Sequence, residues 1–401
     1  MTSDLVYWEC GTGIYAGGDV WRAMSSGVAS RPCTMLVVGA GFAAANFHLV
    51  EALRLHLGVK AGRVHLVQAP CTIEKVEELA GLLERADADG VVAVGGTSVL
   101  DLTRLACRHH ADHRTVQTIR ARGARRGVIG LPADSAAQLH RTFVPTTIGA
   151  AAAVRPTASV ALRGHPRLVE ATGLEPDVAV VDSVFTGSLS PTSIAEGIAA
   201  SVIRAADWYV GDEGANLLTG VETRATVSLL VSLGVRAGDG RLTAADRLLA
   251  GYADIGQFGF PLAGHQPIVT AVGSIASELA SEAGLSPNSV MPVLLPTVWQ
   301  AIDDGDEQLG SRVRLRRVWS WIRAAGREQW PEEPGPGVAA MFRSWGLGVQ
   351  LTCDSAAASA VGVRVLRFWE GSVPALSGRS AAEVACWVRT AVLVGVRDRA
   401  G

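Results

Sequence analysis

Hydrophobic and polar positions follow different patterns in the two halves of the chain. In the first half, apolar runs alternate with amphipathic segments; the runs lie at 34–41, 62–70, 90–96, 141–147, 158–164 and 176–182. The segment TIEKVEELAGLLERADA at 72–88 has the helical period, with Thr72 as its N-cap. Strands that alternate with helices predict a doubly wound parallel sheet of the α/β, Rossmann-like type.

After about residue 185 the pattern becomes helical. Helices are predicted at 222–235, 243–256, 266–284, 287–303, 310–326 and 379–398, whereas the Gly/Pro-rich segment 332–337 is predicted to be a loop. The sequence therefore predicts an α/β amino-terminal domain at 1–185 and an all-α domain at 186–401. An active-site cleft is expected between them.

Composition narrows the class of protein. The chain has 401 residues and a net charge of −2, so no global field attracts nucleic acid or an anionic membrane. No apolar run reaches the roughly 20 uncharged residues of a membrane span, and the first residues do not resemble a signal peptide. Six cysteines are dispersed without a CxxC pair, which favours reduced thiols and a cytoplasmic location.

The stretch GVVAVGGTSVLD at 90–101 stops as a strand and restarts as a helix on Gly95, Gly96, Thr97 and Ser98. Glycines let the backbone approach an anion closely, and the first N–H groups of the new helix face that anion. The turn therefore predicts an oxyanion or phosphate cradle. Taken alone the signal is weak, because many α/β proteins have such a turn and bind nothing there.

Four segments, in order, resemble motifs of the iron-containing alcohol dehydrogenases and of their relatives, the glycerol dehydrogenases and dehydroquinate synthases. These segments are CGTGIYAGGDVWRAM at 10–24, DGVVAVGGTSVLDLTR at 89–104, VPTTIGAAAA at 144–153 and PDVAVVDSVFTGSLSP at 176–191. The resemblance runs over nearly the full length. It implies a dehydroquinate synthase-like fold, a nicotinamide dinucleotide as cofactor and a homodimer.

The resemblance also implies a cofactor site. Gly95, Gly96, Thr97 and Ser98 would hold the pyrophosphate with Asp101 close by, and Thr146 and Thr147 would line the adenosine side. Members of the family often carry an acid after the first of these strands, where it bonds the ribose diol and repels a 2′-phosphate. Gly39 stands at about that place, so the choice between NAD and NADP stays open.

The metal ligands of the family are missing by this comparison. The acid of its first long helix falls at Ala199 or Ser201, its first histidine near Ile203, and the distal histidines at Gly273, Ser277 and Pro287. None of these supplies a competent ligand set, so no metal is expected. The histidines of RHHADHR at 108–114 belong to a basic stretch, 108–126, which is predicted to be a solvated insertion or a docking surface.

Two functions remain. One is a metal-independent NAD(P)-dependent dehydrogenase that oxidises a secondary alcohol, in which Arg204 binds a substrate carboxylate and His265 is the base, ahead of Tyr209 and Glu278. Arg204 on the outer helix face, or His265 as a structural residue, stays an alternative. A branch of the superfamily oxidises and decarboxylates a C-terminal threonine in daptide-type ribosomal peptides, and the chain is compatible with it. The other function is a cofactor-binding pseudoenzyme that partners another biosynthetic protein.

Overall fold

A computed structural model describes residues 11–24, 31–132, 139–211, 217–258, 270–348, 351 and 353–397. The chain divides into two compact units. The first, here called the α/β unit, comprises Glu9–Leu189 and Thr243–Phe258. The second, here called the helical unit, comprises Met1–Trp8, Ser190–Leu242 and Gly259–Gly401.

The main sheet of the α/β unit has six parallel strands in the order β1-β9-β6-β4-β2-β3. Its strands are β1 (Gly13–Gly17), β2 (Thr34–Gly39), β3 (Val64–Val67), β4 (Gly90–Gly95), β6 (His140–Pro145) and β9 (Val178–Asp182). β4 and β2 are buried throughout because they lie inside the sheet, which explains their continuous apolar sequence. The carboxyl ends of all six strands lie along one edge.

Helices cover both faces of this sheet. They are α1 (Ala40–Ala45), α2 (Phe47–His56), α3 (Ile73–Arg85), α4 (Thr97–Ala111) and α5 (Arg114–Gly123). Successive residues of β2 enter different cores: Met35 and Val37 pack with α3 and α4, and Leu36 and Val38 pack with α2. The prediction of a doubly wound α/β domain is confirmed. Thr72 also caps α3, since its side chain accepts from Lys75 N.

The sequence pattern predicted that the apolar run at 158–164 belongs to the main sheet. The structure places it in a second sheet instead. It lies in β7 (Thr157–Leu162), which pairs antiparallel with β8 (His165–Glu170). β8 also pairs with β5 (Val128–Gly130), so a second sheet forms with the order β5-β8-β7. Arg163 and Gly164 both have positive φ, 54° and 81°, which closes the hairpin in two residues.

Helix α8 (Ala244–Gly256) belongs to the α/β unit, although the sequence analysis assigned 243–256 to the second domain. Its Asp254 carboxylate accepts from Ala151 N at 2.6 Å, and Arg247 Nε donates to Thr186 Oγ1 at 3.2 Å. The unit boundary near residue 189 lies close to the predicted one, but the chain returns to the first unit through this helix.

The helical unit contains α6, α7 and α9–α14, in agreement with the predicted all-α region. Their bounds are Pro191–Gly211, Leu217–Gly238, Ala271–Ala283, Pro287–Asp303, Arg312–Ala325, Pro334–Ser344, Ser355–Trp369 and Ala381–Arg397. The predicted loop at 332–337 holds for Glu332 and Glu333 and is wrong for the remainder, because Pro334 begins α12. Gly337 permits this start, since a Cβ there would lie 2.1 Å from Trp319 Cζ2. Within the described residues, no helix is long and apolar enough to cross a membrane.

The basic stretch 108–126 is not a solvated insertion. It forms the end of α4 and all of α5. Arg108 is buried, and Val116 and Ile119 belong to the core between α3, α4 and the sheet. The prediction failed because three arginines mask the apolar period of α5. Docking of a partner on its exposed face stays a prediction.

Candidate functional site

The turn between β4 and α4 lies in the middle of the carboxyl edge of the sheet. Gly96 is the N-cap of α4 and makes no side-chain cap hydrogen bond, so the first-turn N–H groups of Thr97 and Ser98 are not capped by a side chain. A Cβ on Gly95 would lie 2.6 Å from Val99 Cβ, which leaves room for glycine alone. An uncapped helix start beside glycine backbone has the geometry that the predicted anion site requires.

Neighbouring strands bring further predicted residues to this turn. Thr146 N donates to Gly95 O at 3.0 Å, and a Cβ on Gly96 would contact Thr147 Cγ2 at 3.2 Å. Gly39 ends β2 within contact of the same turn, since its Cβ would lie 3.8 Å from Gly95 Cα. The fold therefore groups these residues at the edge where parallel α/β sheets bind ligands.

A small pocket opens beside Thr147 at the same edge. Its lining residues come from the ends of β6 and β9 and from α8; they are Pro145, Thr147, Ile148, Val181, Asp182, Ser183, Thr186, Arg247, Leu248 and Gly251. Asp182 Oδ1 accepts from Val184 N at 3.1 Å, whereas Oδ2 is buried with no partner among the described residues. Sequence reasoning missed Asp182 and Arg247. The acid that ends the apolar run VAVVD was the signal for Asp182.

Asp101 has a different environment from the one expected. Its carboxylate is fully buried and accepts from Arg104 Nη1 at 2.7 Å, Arg155 Nη2 at 2.6 Å and Ser159 N at 2.8 Å. These partners join α4 to β7. Both oxygens are thus bonded within the protein, and the geometry gives Asp101 a role in holding α4 in place, one turn after the turn between β4 and α4.

Arg104 completes this buried cluster. Its guanidinium also donates to Leu174 O at 2.8 Å and Thr157 O at 2.7 Å. Burial lowers the pKa of Arg104 to about 10, and the Asp101 carboxylate opposes that shift. The arginine remains charged at neutral pH, so the cluster stays ionic.

In the helical unit, the residues predicted to act in catalysis contact different partners. Arg204 lies half-buried on α6. The Tyr209 hydroxyl accepts from Arg317 Nη1 at 3.2 Å, and Glu278 is fully buried between Arg364 Nε, at 3.3 Å, and Trp369 Nε1, at 3.1 Å. Tyr209 and Glu278 are therefore engaged in packing. His265 lies outside the described residues.

Asp207 on α6 is a functional candidate that the sequence analysis missed. Burial raises its pKa to about 7, against the opposing effect of the Trp299 N–H and the Thr270 hydroxyl. A carboxyl that titrates near neutral pH suits proton transfer. Its sequence signal was the single acid in the second half of α6, three residues after Arg204.

Known proteins were compared with this chain by sequence and by structure. A family model described as iron-containing alcohol dehydrogenase matches residues 12–183. An iron-containing alcohol dehydrogenase from Thermococcus thioreducens superposes with a TM-score of 0.76 at 14% identity, over 96% of this chain and 99% of that one. The fold is that of the iron-containing alcohol dehydrogenases.

Two further solved structures have this fold. The NADH-dependent butanol dehydrogenase A of Thermotoga maritima has a TM-score of 0.77 at 14% identity, with 96% of this chain and 98% of that one covered. The sulfoacetaldehyde reductase of Bifidobacterium kashiwanohense, solved with NAD+, has a TM-score of 0.74 at 14% identity, with 97% and 99% covered. No curated protein matches the chain by sequence.

The iron-containing alcohol dehydrogenase fold raises the question of a metal site. Ala199 and Ile203 of α6 carry no donor atom, and the Ser201 hydroxyl donates to Gly197 O at 3.0 Å. Throughout the described parts of the chain, no group of three or more His, Cys, Asp or Glu side chains is arranged to hold a metal ion. The described residues therefore do not fit a metal, and we derive no step through one.

Proposed function

We propose that this protein is a metal-independent NAD(P)-dependent dehydrogenase that oxidises a secondary alcohol bearing a carboxylate. The observation that carries the proposal is the uncapped start of α4 on Gly95 and Gly96. Support comes from the fold and from the printed names of two similar structures, an NADH-dependent dehydrogenase and a reductase with bound NAD+. A cytoplasmic homodimer is part of the proposal.

The cofactor would be held by backbone. Gly95 and Gly96 admit the pyrophosphate close to the chain, and the N–H groups of Thr97 and Ser98 donate to it. Thr146 and Thr147 would line the adenosine side, and Gly39 offers the ribose no carboxylate, which leaves both NAD and NADP acceptable. When bound, an oxidised nicotinamide would supply the hydride acceptor for the substrate carbon.

Substrate binding is assigned to Arg204. A guanidinium binds a carboxylate through two parallel hydrogen bonds and supplies fixed positive charge where the family uses a metal. The family's ligand positions on the same helix fall at Ala199 or Ser201 and near Ile203, and the loss of the acid and the histidine supports this replacement of a divalent ion by a cation. His265, which the sequence ranked first as base, lies outside the described residues.

The favoured substrate is the β-hydroxyl of a C-terminal threonine in a ribosomal peptide, as in the daptide-type branch. Oxidation of a β-hydroxy acid gives a β-keto acid. The bond to the carboxylate then breaks, CO2 leaves, and its electron pair passes into the carbonyl to form an enolate. Protonation of that enolate at carbon gives the ketone, so no metal is needed as an electron sink.

The experiment is to incubate purified protein with a peptide ending in threonine and either NAD or NADP. Appearance of reduced nicotinamide, together with a peptide mass lower by one CO2 and two hydrogens, is the expected result. A peptide ending in alanine is the control, because it has no β-hydroxyl. Cofactor binding without turnover of any hydroxy acid would favour the second candidate, a cofactor-binding pseudoenzyme that partners another biosynthetic protein. The missing metal-ligand set among the described residues supports that candidate.

A further inference from the structure

The small pocket beside Thr147 contains a buried carboxylate. Asp182 lines this pocket and is only 2% exposed. Its Oδ1 accepts from Val184 N at 3.1 Å, whereas its Oδ2 has no hydrogen-bond partner among the residues that the structure describes. Buried polar atoms in native proteins almost always bond to protein, water or ligand. Because a carboxylate oxygen only accepts, the group that satisfies Oδ2 has to be a donor.

Other polar side chains around the pocket are engaged elsewhere. Thr186 donates its hydroxyl proton to Ser183 O at 3.0 Å, and the same hydroxyl oxygen accepts from Arg247 Nε at 3.2 Å. Burial raises the pKa of the Tyr252 hydroxyl on α8, and the charge of Asp182 adds to that shift. Tyr252 is therefore close to the carboxylate, but it makes no hydrogen bond to Oδ2.

The size and the walls of the pocket limit what can enter it. Its volume is about 10 Å³, which is room for one group of the size of a water molecule. Much of its wall is apolar and is formed by Pro145, Ile148, Val181 and Leu248. All lining residues belong to the α/β unit. Apolar walls around a single buried acceptor suit an NH2 group whose aromatic ring lies at the mouth of the pocket.

The pocket adjoins the turn between β4 and α4. Thr147 lines the pocket, and its Cγ2 would lie 3.2 Å from a Cβ on Gly96. Pro145 at the end of β6 pairs with Gly95, and β6 lies between β4 and β9, the strand that ends at Asp182. Neighbouring strands are about 4.8 Å apart, so β9 lies about 10 Å from β4. In a dinucleotide, one ribose separates the pyrophosphate from each base, so a base can reach the pocket from this turn.

We propose that Asp182 recognises an NH2 group on one base of the dinucleotide. Its Oδ2 accepts from the 6-amino group of adenine or from the carboxamide of nicotinamide, while the pyrophosphate lies against Gly95 and Gly96. The two groups share one chemistry, since each is a planar NH2 donor attached to an aromatic ring. This assignment rests on the proposed function and adds recognition of a base by a side chain to the binding of phosphate by backbone.

The proposal predicts which dinucleotide analogues bind poorly. Hypoxanthine carries a carbonyl where adenine carries its NH2 group, and nicotinic acid carries a carboxylate oxygen where nicotinamide carries its NH2 group. Either change turns an acceptor toward Oδ2, so two buried acceptors then face each other without a proton between them. The analogue that binds poorly identifies which base enters the pocket.

The test is calorimetric titration with three probes. They are the dinucleotide that the wild-type protein binds, NAD or NADP, its hypoxanthine analogue and its nicotinic acid analogue. For the wild type, we expect at least one analogue to bind about tenfold more weakly than the parent dinucleotide, or weaker still, because a hydrogen bond to a charged acceptor is lost. This comparison needs no variant, so it decides the question even where a variant does not fold.

Asp182→Asn changes the acceptor into a donor at nearly constant shape. The Val184 N–H holds Oδ1, so the asparagine Nδ2 takes the position of Oδ2. An NH2 group at that position pairs with a carbonyl or a carboxylate and not with another NH2 group. We expect the variant to bind the parent dinucleotide about tenfold more weakly and to prefer the analogue that the wild type binds poorly. A residue that only stabilises the fold would not reverse this preference.

Asp112→Asn is the matched control. Asp112 Oδ1 accepts from Arg114 N at 3.0 Å, two residues further on, as Asp182 Oδ1 does from Val184 N. Asp112 is the C-cap of α4, at the opposite end of this helix from the turn. This variant should keep the wild-type Kd for all three probes.

The outcomes separate this inference from the proposed function. Equal Kd values of the wild type for all three probes, or an unchanged order of preference in Asp182→Asn, overturn the inference and leave the dehydrogenase standing. A reversed preference in Asp182→Asn, with no oxidation of any alcohol by the wild type, supports the site and contradicts the dehydrogenase. Binding of neither NAD nor NADP by the wild type contradicts both.

Discussion

At the scale of single residues, Arg204 is proposed to supply the positive charge that a metal ion supplies in the family. Arg204→Ala should slow turnover of a hydroxy acid on the order of a hundredfold and change the cofactor Kd by at most about twofold, because a preorganised charge acts on the substrate alone. Arg204→Lys should restore part of the rate, since a point charge lacks the bidentate fork. Arg224→Ala on α7, an exposed arginine, is the control. Wild-type steady-state rates for Arg204→Ala would contradict the assignment.

Asp207 makes a separate prediction about stability and pH. Its folded pKa, about 7, lies above the ordinary value of 3.8, so the folded state holds a proton that the unfolded state releases. The free energy of unfolding should therefore fall as pH rises between these two values, and no further loss from this group is expected above them. Urea unfolding of Asp207→Asn should lack this part of the pH dependence. Identical pH dependence in both proteins would show that the carboxyl titrates normally.

At the scale of elements, α4 depends on its buried ion cluster. Asp101→Asn leaves Arg104 buried without its counter-charge, and we expect a loss of about 3–5 kcal/mol in the free energy of unfolding. Asp112→Asn, which removes an ion pair with the exposed Arg114, should change it little. Urea unfolding measures both. An Asp101→Asn protein with wild-type stability but weakened cofactor binding would restore the direct cofactor role that the sequence predicted.

The sequence predicted correctly those elements whose signals are local in the chain. The strand-to-helix turns were read correctly because apolar runs, Gly95 and Gly96, and the Thr72 cap are local signals. The hairpin of β7 and β8 was missed as a separate sheet because its pairing depends on contacts with β5 and on the positive φ of Arg163. The start of α12 at Pro334 was read as a loop, since Pro and Gly mark both loops and first turns.

At the scale of the whole molecule, order along the chain predicted the fold better than it predicted the site. The alternating and helical halves gave the right architecture. The return of α8 to the α/β unit could not be read from periodicity, because it is fixed by the long-range bonds of Asp254 and Arg247. Asp207 was missed for a related reason: the pKa of a carboxyl depends on what is packed around it, and Trp299 lies 92 positions away in the sequence.

The central claim is that a nicotinamide dinucleotide binds at the turn between β4 and α4. Calorimetric titration with NAD and with NADP tests it most directly, in the wild-type protein, in Gly95→Ala and in Gly41→Ala. An added Cβ at Gly95 would collide with Val99, whereas one at Gly41 meets nothing within 4 Å. We predict one dinucleotide per chain for the wild type and Gly41→Ala, and at least about tenfold weaker binding for Gly95→Ala. No binding of either dinucleotide by the wild-type protein, or equal binding by all three proteins, would contradict the claim.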